Sequence, residues 1–126
     1  MSITTDPNYN KLMTTVRVLD THYSKVASIA RRALLDAQFR NEKQTAKSYR
    51  KILRKMSADH EEALDIIADK LTTPEQLQAT RKALRGAADK AYVFLEKLKK
   101  TKITLDNLTE AAQFLTQLVK DIRVVF

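Results

Sequence analysis

The two histidines of the chain, His22 and His60, are considered first because imidazole ligates metals and transfers protons near neutral pH. If the chain turns back near residue 40, antiparallel helices pair positions whose numbers sum to about 80, which brings His60 near Asp20 and His22 near Asp59. A metal site from His22, His60, Asp20 and Glu62 is then conceivable. The sequence lacks the Glu-x-x-His pattern that supplies ligands to di-metal sites in helical bundles, so we predict neither a metal nor a cofactor.

A second short pattern, Arg17-Val-Leu-Asp-Thr-His22, combines a guanidinium with an imidazole. It resembles the Arg-x4-His motif of ribonucleases of the HEPN class, which are also small helical bundles. The resemblance covers six residues and implies that His22 is a general acid or base beside a phosphate-binding Arg17. In that family the motif belongs to the closing helix and a polar residue follows the Arg, whereas here it falls in the first helix and Val18 follows Arg17.

The sequence contains few other residues suited to catalysis. Its single Gly cannot build a Gly-rich phosphate loop, and no Ser-His-Asp arrangement can be argued from the residue order. The absence of Cys excludes disulfides and thiolate metal sites. We therefore predict a protein without enzymatic activity, and a HEPN-like ribonuclease is the second alternative.

Positive charge is concentrated between residues 31 and 55. This stretch holds nine Lys and Arg against two acidic residues, a surplus of seven within a chain whose formal net charge is +8. Such a balance favours acidic partners. The predicted partner-binding residues are these cations and a later basic run, namely Arg31, Arg32, Arg40, Lys43, Lys47, Arg50, Lys51, Arg54, Lys55, Lys97, Lys99 and Lys100.

Length and composition predict one helical domain over residues 1–126. A chain of this length buries about two thirds of its unfolded surface on folding, and the scarcity of Gly and Pro favours helices over sheets. No apolar run approaches the roughly 20 residues of a membrane span, and the N-terminus lacks a secretory signal pattern. We expect a cytoplasmic protein without a membrane span.

Apolar residues recur at spacings of three and four in four stretches, which predicts four α-helices. The predicted helices cover roughly 7–39, 41–71, 74–100 and 104–126, and their short connections predict an all-α, antiparallel up-down-up-down four-helix bundle. Asp6-Pro7, Thr73-Pro74 and Thr104 are predicted to start helices. Gly86 is predicted to permit a close helix crossing or a slight kink within the third helix.

The connection at residues 39–41 is the open point of this prediction, because neither Gly nor Pro enforces it. Asn41 followed by Gln44 suggests a capping box that starts the second helix. One continuous helix over 9–71 is the alternative. Its uncovered apolar stripes would require a second chain, so a homo-oligomer is kept as an alternative assembly.

Alternating helix directions would gather positive charge at one end of the bundle. Residues 25–55 and 89–114 would share that end, with fifteen Lys and Arg against six Asp and Glu, whereas the other end holds eight against nine. The helix dipole favours cations at helix C-termini, but it opposes Arg40, Lys43 and Lys47 at a predicted N-terminus. Stability does not explain that placement, and binding of a partner would.

These observations predict a binding or assembly module that engages an acidic partner protein through a basic pole. The first alternative is a sequence-nonspecific nucleic-acid-binding protein that uses the same pole. Contacts to phosphates would then dominate, and Phe39 or Tyr49 could stack on bases.

Overall fold

The computed structural model describes residues 3–126, which form one short 3-10 turn, four α-helices and their connections. The all-α prediction is confirmed, and every helix boundary lies within two residues of its predicted position. The helices are α1 (Tyr9–Phe39), α2 (Lys43–Lys70), α3 (Pro74–Leu98) and α4 (Leu105–Val125).

The four helices form a bundle in which direction alternates along the chain, as predicted. Each helix packs against two others: α1 and α4 each contact both α2 and α3. The two diagonal pairs of the bundle are therefore α1 with α4 and α2 with α3. Helices that follow each other directly through 40–42 or 99–104 are antiparallel neighbours, while α1 and α3, and likewise α2 and α4, are parallel neighbours. Both of these connections therefore lie at the same end of the bundle.

The core is built from the apolar stripes that the spacing predicted. Fully buried side chains recur at steps of about one or two turns on every helix, so each helix presents one face to the centre. Complete burial of a Leu or Met side chain stabilises the fold by about 1.5–3 kcal/mol. The largest of these side chains are Leu12, Leu19, Met56, Leu77, Leu84, Leu108, Leu115, Leu118 and Ile122.

The first connection is a Schellman motif with Asn41 in the left-handed conformation, at φ 57°. The amide of Glu42 donates to the carbonyl of Ala37 at 2.9 Å, and the amide of Asn41 donates to the carbonyl of Gln38 at 3.1 Å. These two hydrogen bonds satisfy carbonyls that the end of α1 would leave unpaired. The chain therefore reverses here, and a continuous helix over 9–71 is not formed.

The capping box predicted at this connection is wrong. Asn41 ends α1, and the N-cap of α2 is Glu42, which makes no side-chain capping hydrogen bond. Asn tolerates the left-handed conformation better than most residues, so it can take the place that Gly usually occupies after a helix. Asn41 therefore correctly indicated a break between two helices, but it belongs to the end of α1 and not to the start of α2.

The start of α1 also differs from its prediction. Asp6 caps a turn that precedes the helix: its Oδ1 accepts a hydrogen bond from the amide of Asn8 at 2.8 Å, and its carbonyl accepts from the amide of Tyr9 at 2.9 Å. The helix begins at Tyr9, so Pro7 is not its first residue.

The predicted caps of α3 and α4 are confirmed. Thr73 and Gln76 form a reciprocal capping box, and Pro74 is the first residue of α3. Thr104 Oγ1 accepts a hydrogen bond from the amide of Asn107 at 3.1 Å.

Gly86 does not serve a close helix crossing. A Cβ atom built at this position would meet no neighbouring atom within 4 Å, and α3 is continuous from Pro74 to Leu98. The predicted close approach is therefore wrong, because the groove between α3 and α4 is open beside Gly86.

Candidate functional site: a basic pole

The basic pole is the end of the bundle that contains the connections 40–42 and 99–104, with the adjoining halves of the four helices. All twelve cations predicted as binding residues lie there and are exposed to solvent. Two belong to α1, six to α2 and one to α3, and three lie in the connections. Residues that are up to 69 positions apart in the chain are thus brought to one end of the molecule by the alternation of helix direction.

Four of the twelve cations form ion pairs, and the other eight have none within residues 3–126. In three of the four pairs both side chains are exposed, and solvent screening leaves such pairs little effect on the stability of the fold. The pairs are Arg40–Asp36 at 3.1 Å, Lys55–Asp59 at 3.2 Å, Lys97–Glu110 at 3.4 Å and Lys99–Glu96 at 2.9 Å. The hydrogen bond to Glu96 and the charge of that carboxylate raise the pKa of Lys99 above its ordinary value of 10.5.

The distribution of charge along α2 is opposite to the one that the helix dipole favours. Residues 43–55 contain six Lys and Arg and no acid, whereas residues 56–70 contain five Asp and Glu and one Lys. Cations therefore lie at the positive end of the α2 dipole, where no side-chain cap offsets them. Arg40, which was predicted to lie there as well, is instead the C-cap of α1, where the dipole favours a cation.

Four of the α2 cations share one outward face. Their spacings of four, three and four residues keep them within about 60° around the helix axis, at about 100° per residue. The same rotation places Tyr49 and Met56, which are buried, on the opposite side. The residues of this face are Lys43, Lys47, Arg50 and Arg54.

Five of the remaining eight cations border grooves between helices. Lys51 and Lys55 line the groove between α2 and α4, Arg32 and Lys99 line the groove between α1 and α3, and Lys97 lines that between α3 and α4. The positive charge consequently surrounds the pole, with its densest single row on α2.

Of the two aromatic residues that could stack on bases, only Phe39 is accessible. Phe39 is 79 % exposed at the end of α1, beside Arg40. Tyr49 is buried in the core, and its ring exposes too little surface to stack on a base.

His60 lies at the interface between α1 and α2, where the predicted register is observed. Its Nε2 is 2.7 Å from Asp20 Oδ1, and its ring stacks on Tyr23 with the ring centroids 4.4 Å apart. The sum of the numbers of Asp20 and His60 equals the sum expected for a reversal at residue 40.

The other two residues of the conceivable metal site, His22 and Glu62, do not join His60 and Asp20. His22 packs against Tyr92 of α3, with ring centroids 5.8 Å apart, and Glu62 pairs with Arg123 of α4. The side chains of His22 and Asp59 have partners on different helices, because Asp59 accepts a hydrogen bond from Thr116 of α4 and His22 packs against α3. Within residues 3–126, no three His, Asp or Glu side chains are arranged to hold a metal ion.

Arg17 and His22, the two ends of the Arg-x4-His pattern, lie within the continuous helix α1. Their side chains leave the helix about 140° apart, because they are five residues apart in sequence. Arg17 is exposed, whereas Nδ1 of His22 is buried without a hydrogen-bond partner. The ribonuclease hypothesis stays a prediction that rests on the sequence motif.

Two residues of the pole that line the groove between α1 and α3, Lys25 and Ile103, are not among the predicted binding residues. The signal for Lys25 was its separation of seven residues from Arg32, which places both on one side of α1. Nothing in the sequence placed Ile103 there, since it lies in a connection whose path depends on the packing of the helices.

No helix within residues 3–126 has the length and apolar character needed to cross a membrane. No family model matches the sequence, and neither the curated proteins nor the solved structures contain a match.

Proposed function

We propose that the protein is a non-enzymatic binding module whose basic pole engages an acidic partner protein. The observation that carries the proposal is the group of eight exposed cations at this pole that have no ion pair within residues 3–126. They are Arg31, Arg32, Lys43, Lys47, Arg50, Lys51, Arg54 and Lys100.

The placement of charge on α2 supports a binding role because it does not serve folding. A cation in the first turn of a helix is unfavourable by about 0.3–1 kcal/mol at low salt, and Lys43 is the first residue of α2, which has no capping side chain. A bound carboxylate-rich surface would be attracted both by the cations and by the positive end of the helix dipole.

The test is the binding of a fluorescent glutamate-rich peptide, measured by anisotropy at about 50 and 200 mM salt. We expect micromolar binding that weakens with salt. The triple variant Lys47→Glu, Arg50→Glu, Arg54→Glu should lose at least tenfold in affinity, because it reverses the charge of the α2 row.

The matched control is the triple variant Lys82→Glu, Arg85→Glu, Lys120→Glu, which reverses three exposed cations at the other end of the bundle. It should bind the peptide nearly as tightly as the original protein. Equal losses in both variants would show a response to net charge alone, and the basic pole would not be the binding site.

The alternative is sequence-nonspecific binding of nucleic acid, and the observation in its favour is the exposure of Phe39 beside Arg40. An exposed ring among cations can stack on a base while the cations contact phosphates. The buried position of Tyr49 leaves Phe39 as the one stacking residue of the two that the sequence suggested.

Labelled single-stranded and duplex oligonucleotides distinguish the two functions under the same salt conditions. Three results together would favour the nucleic-acid function: the oligonucleotides bind more tightly than the glutamate-rich peptide, their affinity falls tenfold or more with salt, and Phe39→Ala weakens it. Binding of the peptide with no retention of either oligonucleotide at low salt would exclude it.

A further inference from the structure

A groove with a volume of about 480 Å³ runs between the parallel helices α1 and α3 toward the basic pole. Ile29, Leu95 and Leu98 contribute apolar surface to it. Two further apolar residues are unusually open to solvent, because Tyr92 is 53 % exposed and Ile103 is 38 % exposed. The groove therefore presents apolar side chains that the core of the bundle leaves uncovered.

The charged residues that line this groove are mainly positive. They are Lys25, Arg32 and Lys99, with Glu96 as the one acid, and Glu96 is paired with Lys99 at 2.9 Å. Lys25 and Arg32 form no ion pair within the described chain and lie about two turns apart on α1. An occupant with apolar residues on one side and carboxylates beside them would match both the surface and the charge.

The groove continues around the end of the bundle into a second depression between α1 and α2. Ile29, Arg32 and Ile103 line both. The depression between α1 and α2 also contains Asp36 and Glu42, so the positive character belongs to the α1–α3 part.

We propose that the groove between α1 and α3 docks a short amphipathic helix of the acidic partner, with its apolar face on Tyr92, Leu95 and Ile103 and its carboxylates on Lys25 and Arg32. The inference rests on the proposed function and adds where the partner binds and what form its binding segment takes. The stretch from His22 to Arg32 is about 15 Å long, which accommodates about three turns of helix.

A helix suits this groove better than an extended segment. The walls are helices whose backbone groups bond to each other within each helix, so the groove offers no strand edge to an incoming chain. An extended segment would lose the hydration of its amides without gaining partners, whereas a helix satisfies its own.

Two probe peptides of about 14 residues test the proposal, each composed of Glu and Leu with one fluorophore. In the first, Leu residues three and four apart form one apolar face; the second has the same composition with the Leu residues distributed around the helix. We expect the amphipathic peptide to bind at least tenfold more tightly than its isomer, and Tyr92→Ser to remove most of that difference.

The control for Tyr92→Ser is Val93→Ser, since the neighbouring Val93 is also exposed but lines the groove between α3 and α4. It should leave the affinity within about twofold, and Lys25→Glu, Arg32→Glu should weaken both peptides. Because Tyr92 and Val93 are exposed, neither change removes a residue of the core; circular dichroism of each variant checks this.

The outcomes separate this proposal from the proposed function. If the two Glu-Leu peptides bind equally, or if Tyr92→Ser and Val93→Ser have equal effects, the groove is not the docking site. In that case, weaker binding of the glutamate-rich peptide by the α2 triple variant would still support the basic pole as the binding site. If neither Glu-Leu peptide nor the glutamate-rich peptide binds, both proposals are wrong.

Discussion

Two threonines, one buried and one partly buried, show how the same side chain can stabilise or destabilise according to its partner. Thr80 is completely buried in α3, and its Oγ1 has no hydrogen-bond partner within residues 3–126. Thr116 of α4 donates from its Oγ1 to Asp59 Oδ2 of α2 at 2.9 Å, and that carboxylate also accepts from Lys55. The first hydroxyl is desolvated without compensation, whereas the second links two helices.

The change of Thr to Val should therefore have opposite effects at these positions. Thr80→Val should raise the free energy of unfolding by about 1 kcal/mol, because it removes an unpaired buried hydroxyl without changing the shape of the side chain. Thr116→Val should lower it by about 1–2 kcal/mol, because Asp59 loses a donor. Urea denaturation of both variants measures the difference, and a loss of stability in Thr80→Val would contradict the assignment.

The burial of Tyr49 predicts that the free energy of unfolding changes with pH in the alkaline range. Its burial, followed by the charges of Glu42 and Asp36, raises the pKa of its hydroxyl above the ordinary value of 10.0. Above pH 10 the unfolded chain releases this proton while the folded chain retains it, so the free energy of unfolding falls as pH rises through the folded-state pKa.

Tyr49→Phe should reduce this fall. Thermal unfolding from about pH 9 to pH 11 should show a shallower loss of stability in the variant, and equal slopes would contradict the prediction. Lys99 titrates in the same range with a raised pKa, but it is present in both proteins and its contribution cancels in the comparison.

At the scale of the elements, the connection between α1 and α2 determines whether the basic pole exists. The apolar spacing located the break near residue 40, because the first stripe ends with Ala37 and the second begins with Ala46. The same spacing could not identify the reversal, since it describes each helix separately. The reversal depends on Asn41, whose left-handed backbone redirects the chain.

Substitutions at Asn41 should follow the cost of the left-handed conformation. Asn41→Ala should lower the free energy of unfolding by about 1 kcal/mol, and Asn41→Gly should leave it unchanged or raise it slightly. Urea denaturation provides the measurement. Equal stability of the Ala and Gly variants would mean that the Schellman motif does not hold the turn.

At the scale of the whole molecule, the folded chain concentrates like charges that the unfolded chain would keep apart. The pole contains most of the positive charge, and eight of the predicted binding cations have no ion pair within residues 3–126. Their mutual repulsion opposes folding and decreases when salt screens it.

The free energy of unfolding should accordingly rise with ionic strength, by about 1 kcal/mol between 20 and 300 mM NaCl. The variant Lys47→Gln, Arg50→Gln, Arg54→Gln should be more stable at low salt and should respond less to added salt. Thermal unfolding checks both expectations. A stability that falls with salt would show that ion pairs, and not repulsion, dominate at the pole.

The sequence alone determined which segments are helical, which side of each helix is buried and that the chain carries a large positive surplus. These properties follow from local periodicity and composition, which act over a few residues. Thr73 and Thr104 were found for the same reason, since a cap involves residues only three apart.

Only the tertiary structure decided which helices lie side by side, and with that the site. The parallel contact of α1 with α3 creates the groove that joins Lys25, Tyr92 and Ile103, and the contact of α2 with α4 places Thr116 on Asp59. Several pairings of four amphipathic helices bury the same apolar stripes, so periodicity cannot choose among them. The choice depends on how the side chains of distant segments fit together in space.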